Sequence, residues 1–173
     1  MFTVRTLLCF VMTNTAAFAA DIPKTNAVPT AGKAIHAFDF LNGTYSSPIA
    51  DSDVALKQGH GSTGVSDFSV QAAFGDLDGD DRDEAVLVWQ DQGAVGGSSG
   101  GVVYREVDGA LQVVWTIPEA SRIDGWLQKA LIDQGDLVLA RDPEQSPHAP
   151  YCDGVMLSRL FYAESEFRVR QTY

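Results

Sequence analysis

Residues 75–84, Gly75-Asp76-Leu77-Asp78-Gly79-Asp80-Asp81-Arg82-Asp83-Glu84, run without a break into Ala85-Val86-Leu87-Val88-Trp89. No other feature narrows the possible folds as much. Six carboxylates in ten residues demand solvent or counter-charge, whereas the five residues that follow carry no charge and demand cover. A surface turn feeding a central strand, covered on both faces, meets both demands. Asp76, Asp78 and Asp80 fall on alternate residues, so a tight loop lets them converge on one small volume. Two unit charges about 4 Å apart repel by about 1 kcal/mol in water, and several-fold more near a protein surface. A hard cation with oxygen ligands relieves such crowding, and calcium, taking about 6–8 oxygens, suits it best. The alternative is a solvated structural turn, the ordinary role of Asp-Gly-rich loops before strands.

Charge narrows the partners. The chain holds 12 Lys+Arg against 23 Asp+Glu, a formal charge of −11. It becomes one unit more negative if Arg5 is removed with a signal. Such a surface repels nucleic acid and anionic membranes, and attracts divalent cations or a basic protein partner. Met1 to Ala20 reads as an export signal: Arg5 supplies the positive start, Leu7 to Met12 the apolar centre, and Ala17-Phe18-Ala19 a small-x-small cleavage pattern. No stretch reaches the roughly 18 apolar residues of a membrane span, so membrane insertion is not expected. The expected product is soluble and periplasmic or secreted. Its two cysteines then reduce to Cys152 alone, a buried thiol, half of an intermolecular disulfide or a reactive site. His148 lies near it, but Pro147 and Pro150 make that stretch a loop.

Residues 21–34, rich in Pro, Thr, Asn and Ala, read as a flexible leader, and residues 35–173 as one domain. Ile35 to Phe40 is expected as the first strand, before the turn Asn42-Gly43, with His36 half-exposed on it. Asp53 to Lys57 and Val65 to Phe74 are further strand candidates. Gly93 to Gly101, dense in Gly and Ser, reads as a flexible hairpin connection or flap. It lacks the Gly-Lys-Ser/Thr of a phosphate loop. Asp108-Gly109 is the strongest hairpin signal, joining Val102–Val107 to Ala110–Ile117, where Leu111, Val113, Trp115 and Ile117 are expected on one apolar face. Trp126–Asp133 and Leu137–Arg141 form the next pair, and Gly154–Tyr162 with Glu166–Gln171 the last. Arg159, Arg168 and Arg170 would form a basic strip there if they share a face. Arg122 and Asp124 form another polar cluster, read as a loop-fixing pair or a substrate-binding arginine.

Asp-x-Asp-Gly-Asp-x-x-Asp-Glu before a hydrophobic strand resembles the calcium loop of FG-GAP repeats in integrin-type propellers. That resemblance implies side-chain ligands Asp76, Asp78, Asp80 and Glu84, with the Arg82 carbonyl adding an oxygen. Two positions depart from it: Asp81 stands where Gly is usual, and Glu84 where Asp is usual. The twelfth position from Asp76 is Leu87, not the bidentate glutamate of an EF-hand. A longer pattern is similar to a group of secreted bacterial proteins of unknown function. It runs from Phe74-Gly75-Asp76 through Val103-Tyr104 and Val113-Val114-Trp115 to Arg122-x-Asp124-Gly125, and the similarity extends from about Phe38 to the end of the chain. It implies a small, mostly β, exported domain. Those relatives often carry Thr where Asp78 stands, so the similarity speaks for the fold more than for metal binding.

The expected architecture is mainly β: a single antiparallel sheet or a small sandwich or barrel built from hairpins, with at most a short helix. The expected function is structural binding of a divalent cation, Ca2+ first, at the acidic inter-strand loop, with a binding or interaction role. Two alternatives stand beside it, a metal-assisted hydrolase using the same loop and a periplasmic inhibitor or accessory protein for a basic partner. Catalysis draws no motif: Gly-x-Ser-x-Gly, His-Glu-x-x-His and Cys-x-x-Cys are all missing, and His36, His60 and His148 are scattered.

Overall fold

A computed structural model describes Lys24 and residues 32–94, 96–121, 125–142, 155–163 and 166–172. Its strands are β1 (Thr44–Ser47), β2 (Ser52–Ala55), β3 (His60–Ser62), β4 (Ser66–Gly75), β5 (Glu84–Gly93), β6 (Gly96–Val107), β7 (Ala110–Ser121), β8 (Leu127–Asp133), β9 (Asp136–Arg141), β10 (Met156–Ala163) and β11 (Glu166–Thr172). Every pairing is antiparallel. The strands form a five-stranded sheet in the order β3-β4-β5-β6-β7, a four-stranded sheet β11-β10-β9-β8, and the small pair β1-β2. The protein is mainly β, as the hairpin signals predict. No sheet closes into a barrel among the described residues.

The acidic turn joins β4 to β5, and β5 is the central strand of the larger sheet. Its side chains alternate between two cores, which is why the run Ala85–Trp89 shows no polar face. Ala85, Leu87 and Trp89 meet Phe38, Phe40, Tyr45, Val54 and Leu56 from the chain before the sheet. Val86 and Val88 face Leu127, Leu137, Leu139 and Leu160 of the four-stranded sheet. The central sheet is thereby covered on both sides, and β8 lies across β4 and β5.

Three expectations are corrected. Residues Ala34–Ala37 form a 3-10 turn, not a strand. Residues three apart eclipse in that geometry, so Ile35 and Phe38 can both point into the core, whereas a strand would turn them to opposite faces. The Gly/Ser-rich stretch is not a flap, since Gly96 to Gly101 belong to β6 and pair with β5 out to Gly93 opposite Gly96. Its glycines serve close packing: a Cβ on Gly97 would lie 2.7 Å from the Trp126 ring, and one on Gly100 2.8 Å from Trp89. The third concerns β7. Its register slips opposite Val103/Tyr104, where Trp115 and Val113 pair with successive β6 residues and Val114 is extra. The slip breaks the expected alternation, leaving Val113 exposed while Ile117 stays buried.

The turns follow their residues. Asp108-Gly109 and Gln134-Gly135 both adopt positive φ at two successive positions, as the favoured two-residue hairpin requires. Upstream of Ile35, Lys24 bridges Phe38 and its ammonium donates to the Gly109 carbonyl, while the Gly32 carbonyl accepts from Asp83 N–H at 2.9 Å. These residues lie in the stretch expected to be a leader. No helix among the described residues is long and apolar enough to cross a membrane.

Candidate cation site at the acidic turn

The turn builds itself from its own carboxylates. Asp76 accepts from Gly79 N–H at 2.6 Å and from Asp81 N–H at 2.9 Å, one bond on each oxygen. Asp78 accepts from Asp80 N–H at 3.2 Å. Such side-chain to backbone bonds are what Asp contributes to tight turns. Gly79 and Asp81 sit at φ of 80° and 63°. A left-handed aspartate stands in the position where the calcium-loop pattern has Gly, and Asp enters that region more readily than most residues.

Asp76, Asp78 and Glu84 each bring a carboxylate oxygen within 4.8 Å of the other two. Their burial differs. Glu84, the first residue of β5, is 1% exposed, Asp76 is half-buried and Asp78 lies outward. One oxygen of Glu84 accepts from Leu77 N–H at 2.9 Å and the other from Arg105 Nε at 2.8 Å. The same guanidinium bonds Asp78. Burial pushes the Glu84 carboxyl above its ordinary value, and Asp78 adds to the push. Leu77 N–H and Arg105 draw it only part of the way back. Arg105 is held above its ordinary value: burial opposes its charge, and Glu84 and Asp78 overrule burial.

The remaining carboxylates turn elsewhere. Asp80 faces Arg82, taking Nε at 2.9 Å and Nη2 at 2.6 Å on one oxygen and Arg82 N–H at 3.0 Å on the other. Those bonds hold its carboxyl below the usual range. Asp83 meets Lys33 at 2.5 Å and His36 Nε2 at 2.8 Å, and the His36 ring stacks on Phe74 at 4.2 Å. Burial raises the Asp83 carboxyl, but the bonds from Lys33 and His36 win and hold it low. Of the five ligand positions expected from the sequence, the structure gathers Asp76, Asp78 and Glu84, and gives the Asp80 and Arg82 side chains to one another.

Arg105 is the functional residue that sequence reading missed. It follows the apolar run Val102-Val103-Tyr104 and has the look of a solvated strand end. Its signal lies in the register: Ala85 pairs with Tyr104, so one step further places Glu84 beside Arg105. Arg122, Asp124, His148 and Cys152 lie outside the described residues. The expected basic strip is partly neutralised. Arg159 bonds Asp133 at 2.9 Å and Asp136 at 2.6 Å, and Arg170 reaches Asp136 at 3.4 Å.

No protein-family model, curated protein or solved structure matches the chain.

As chemistry, the donor set is one of hard oxygens. Three carboxylates from two ends of one hairpin suit a divalent cation of the calcium type, with backbone carbonyls or water completing its shell. The guanidinium of Arg105 is the competing positive charge, bound through two of the same three carboxylates.

Proposed function

We propose that the chain is an exported β protein whose acidic turn binds a divalent cation, calcium first, at Asp76, Asp78 and Glu84, with the ion acting structurally in a protein whose role is binding or interaction. The observation that carries this reading is the convergence of the three carboxylate oxygens within 4.8 Å. The likeness of the turn to FG-GAP calcium loops supports it, and so does the acidic balance of the chain. The test is thermal melting in EDTA, then with millimolar calcium or magnesium. Added ion at a hundred times the dissociation constant stabilises by about 2.7 kcal/mol, roughly 5–10 °C for a domain of this size. The shift should vanish in Asp76→Asn. Failure of both cations to shift the melt overturns the reading.

Arg105 favours a second reading, in which the guanidinium is the turn's own cation and no metal is needed. Arg105→Gln separates the two. Under the metal reading calcium stabilises the wild-type protein and stabilises the variant more, because a competitor has gone. Under the arginine reading the wild-type protein ignores calcium.

A further inference from the structure

The opposite end of β5 carries a second buried carboxylate. Asp91 is 0% exposed, and one of its oxygens is well served: Oδ2 accepts from Ser47 Oγ at 2.5 Å and from Ile49 N–H at 3.0 Å. Oδ1 has no hydrogen-bond partner among the described residues. Directly across the ladder, Ser98 of β6 is the Cα partner of Asp91, and its buried hydroxyl also lacks a partner. Directly opposed residues present their side chains to the same face of the sheet, with Cβ atoms about 4.5–5.5 Å apart. Buried polar groups are nearly always paired, so two neighbouring orphans mark a place where a group from outside the chain can bond.

A cavity of about 230 Å³ opens beside Ser98, lined by Pro48, Ile49, Gly96, Gly97, Ser98 and Glu119. Pro48 and Ile49 give it an apolar wall. That wall is anchored on the carboxylate beneath it, through the Ile49 N–H bond to Asp91. Gly96 and Gly97 leave its floor bare. The side-chain polar groups on its lining are the Ser98 hydroxyl and the Glu119 carboxylate, with the Asp91 carboxylate behind them as the cross-strand partner of Ser98, and no basic residue is among the described lining. A site with acceptors, negative charge and one aliphatic wall selects a cation that donates hydrogen bonds and carries a short alkyl stem. Calcium is the poorer match, because it seeks about 6–8 oxygens.

We infer that this cavity is a binding site for a primary ammonium group. The Ser98 hydroxyl turns about a single torsion, so it accepts an N–H from the ligand while donating its own proton to Asp91 Oδ1, pairing both orphans at once. Glu119 meets the charge at the rim, and the stem lies along Pro48 and Ile49. The ammonium belongs either to a free alkylamine or to a lysine side chain of another protein.

Calorimetric titration of the full chain with n-butylammonium and with N-acetyl-lysine methylamide tests the site, with tetramethylammonium as a cation that has no N–H. Binding of both amines, and none of tetramethylammonium, is the expected result; the tighter of the two identifies the source. Asp91→Asn should weaken binding by about tenfold or more, and Glu119→Gln by a few-fold. A Cβ at Gly96, which lines the cavity, meets nothing within 4 Å, so Gly96→Leu adds bulk at the cavity wall without a clash at its first side-chain carbon. That variant should keep its melting temperature and lose the amine, and it decides the matter if Asp91→Asn fails to fold. Asp76→Asn at the far turn should leave amine binding unchanged, so the two sites fail or stand separately. No binding of either amine, equal binding of tetramethylammonium, or undiminished binding in Gly96→Leu overturns the inference.

Discussion

The two ends of β5 hold buried carboxylates seven residues apart, roughly 23 Å along the strand, and they are treated in opposite ways. Glu84 faces one core and has both oxygens bonded, to Leu77 N–H and to Arg105. Asp91 faces the other core, with one oxygen bonded twice and the other without a partner among the described residues. Both are as deeply buried as the leucines around them. The difference shows that depth alone does not mark a site; whether the counter-charge is resident does. At the Glu84 end the chain supplies its own cation on the neighbouring strand. At the Asp91 end none is found among the described residues.

Removing the resident cation is the sharpest way to break this contrast. Arg105→Ala leaves the buried Glu84 carboxyl without its partner, to be held unpaired or to take up a proton, and an interior ion pair broken on one side costs up to about 3–5 kcal/mol. The melting temperature in EDTA should fall accordingly. If calcium enters the turn, it should restore part of the loss, because it replaces the missing positive charge. A variant that melts like the wild-type protein would show that Glu84 does not depend on Arg105, and the two ends of β5 would then be alike.

Alkali separates the regions by a different route. Burial pushes the Tyr104 hydroxyl up to about 12. Tyr45, whose hydroxyl donates to the Phe40 carbonyl at 2.6 Å, is raised further, by burial first and then by Tyr104 and Asp39. A raised folded value means that the folded state holds its proton longer than the unfolded chain does. The stability is therefore whole below the ordinary value of 10.0 and is lost as the pH climbs towards 12. At about 1.4 kcal/mol per unit, Tyr104 alone accounts for about 2–3 kcal/mol by the end of that range. Arg105 keeps its charge throughout, so its bonds to Glu84 and Asp78 should take no part in the loss. Denaturant melts at pH 9 and near pH 12 would measure it, and Tyr104→Phe should flatten the profile.

The cavity floor allows a finer comparison between adjacent glycines. A Cβ on Gly97 would sit 2.7 Å from the Trp126 ring and 2.9 Å from the Asp91 carbonyl oxygen, whereas one on Gly96 meets open space. Gly97→Ala should cost about 1–3 kcal/mol, the usual range for overpacking, and Gly96→Ala no more than about 0.5 kcal/mol. Equal melting temperatures for the two variants would mean that the floor does not pack tightly.

How much of this was legible in the sequence depends on how local the signal is. Asp108-Gly109 and the alternation along β4 and β5 are local, and the hairpin framework could be read from them. The turn at Asp76 was legible for the same reason, since its bonds join residues two to five apart. Gly96–Gly101 misled because glycine density signals flexibility on its own. Only the distant Trp126 and nearby Trp89 reveal that these glycines make room for rings. Ile35–Phe40 misled because the four residues of a short 3-10 turn carry too little periodicity to tell it from a strand. Arg105 and Asp91 were invisible for a stronger reason. Their meaning comes from pairings across strands, Arg105 beside Glu84 and Asp91 opposite Ser98, and one residue of slip would send each to the other face.

The smallest effect bears on which residues would hold an ion. Asp80 was read as a ligand, yet its carboxylate is taken by Arg82, two residues away, on an open surface where the two side chains are 31% and 54% exposed. Solvent screens such a pair, so Asp80→Ala in EDTA should move the melting temperature by less than about 2 °C. With calcium the same variant becomes informative. If the ion is held by Asp76, Asp78 and Glu84, the calcium shift survives the loss of Asp80 nearly whole. Loss of the shift would mean that Asp80 lets go of Arg82 and turns inward when the ion arrives. The acidic turn would then resemble the Asp91 end more than it does now, as a site completed from outside rather than one closed by its own arginine.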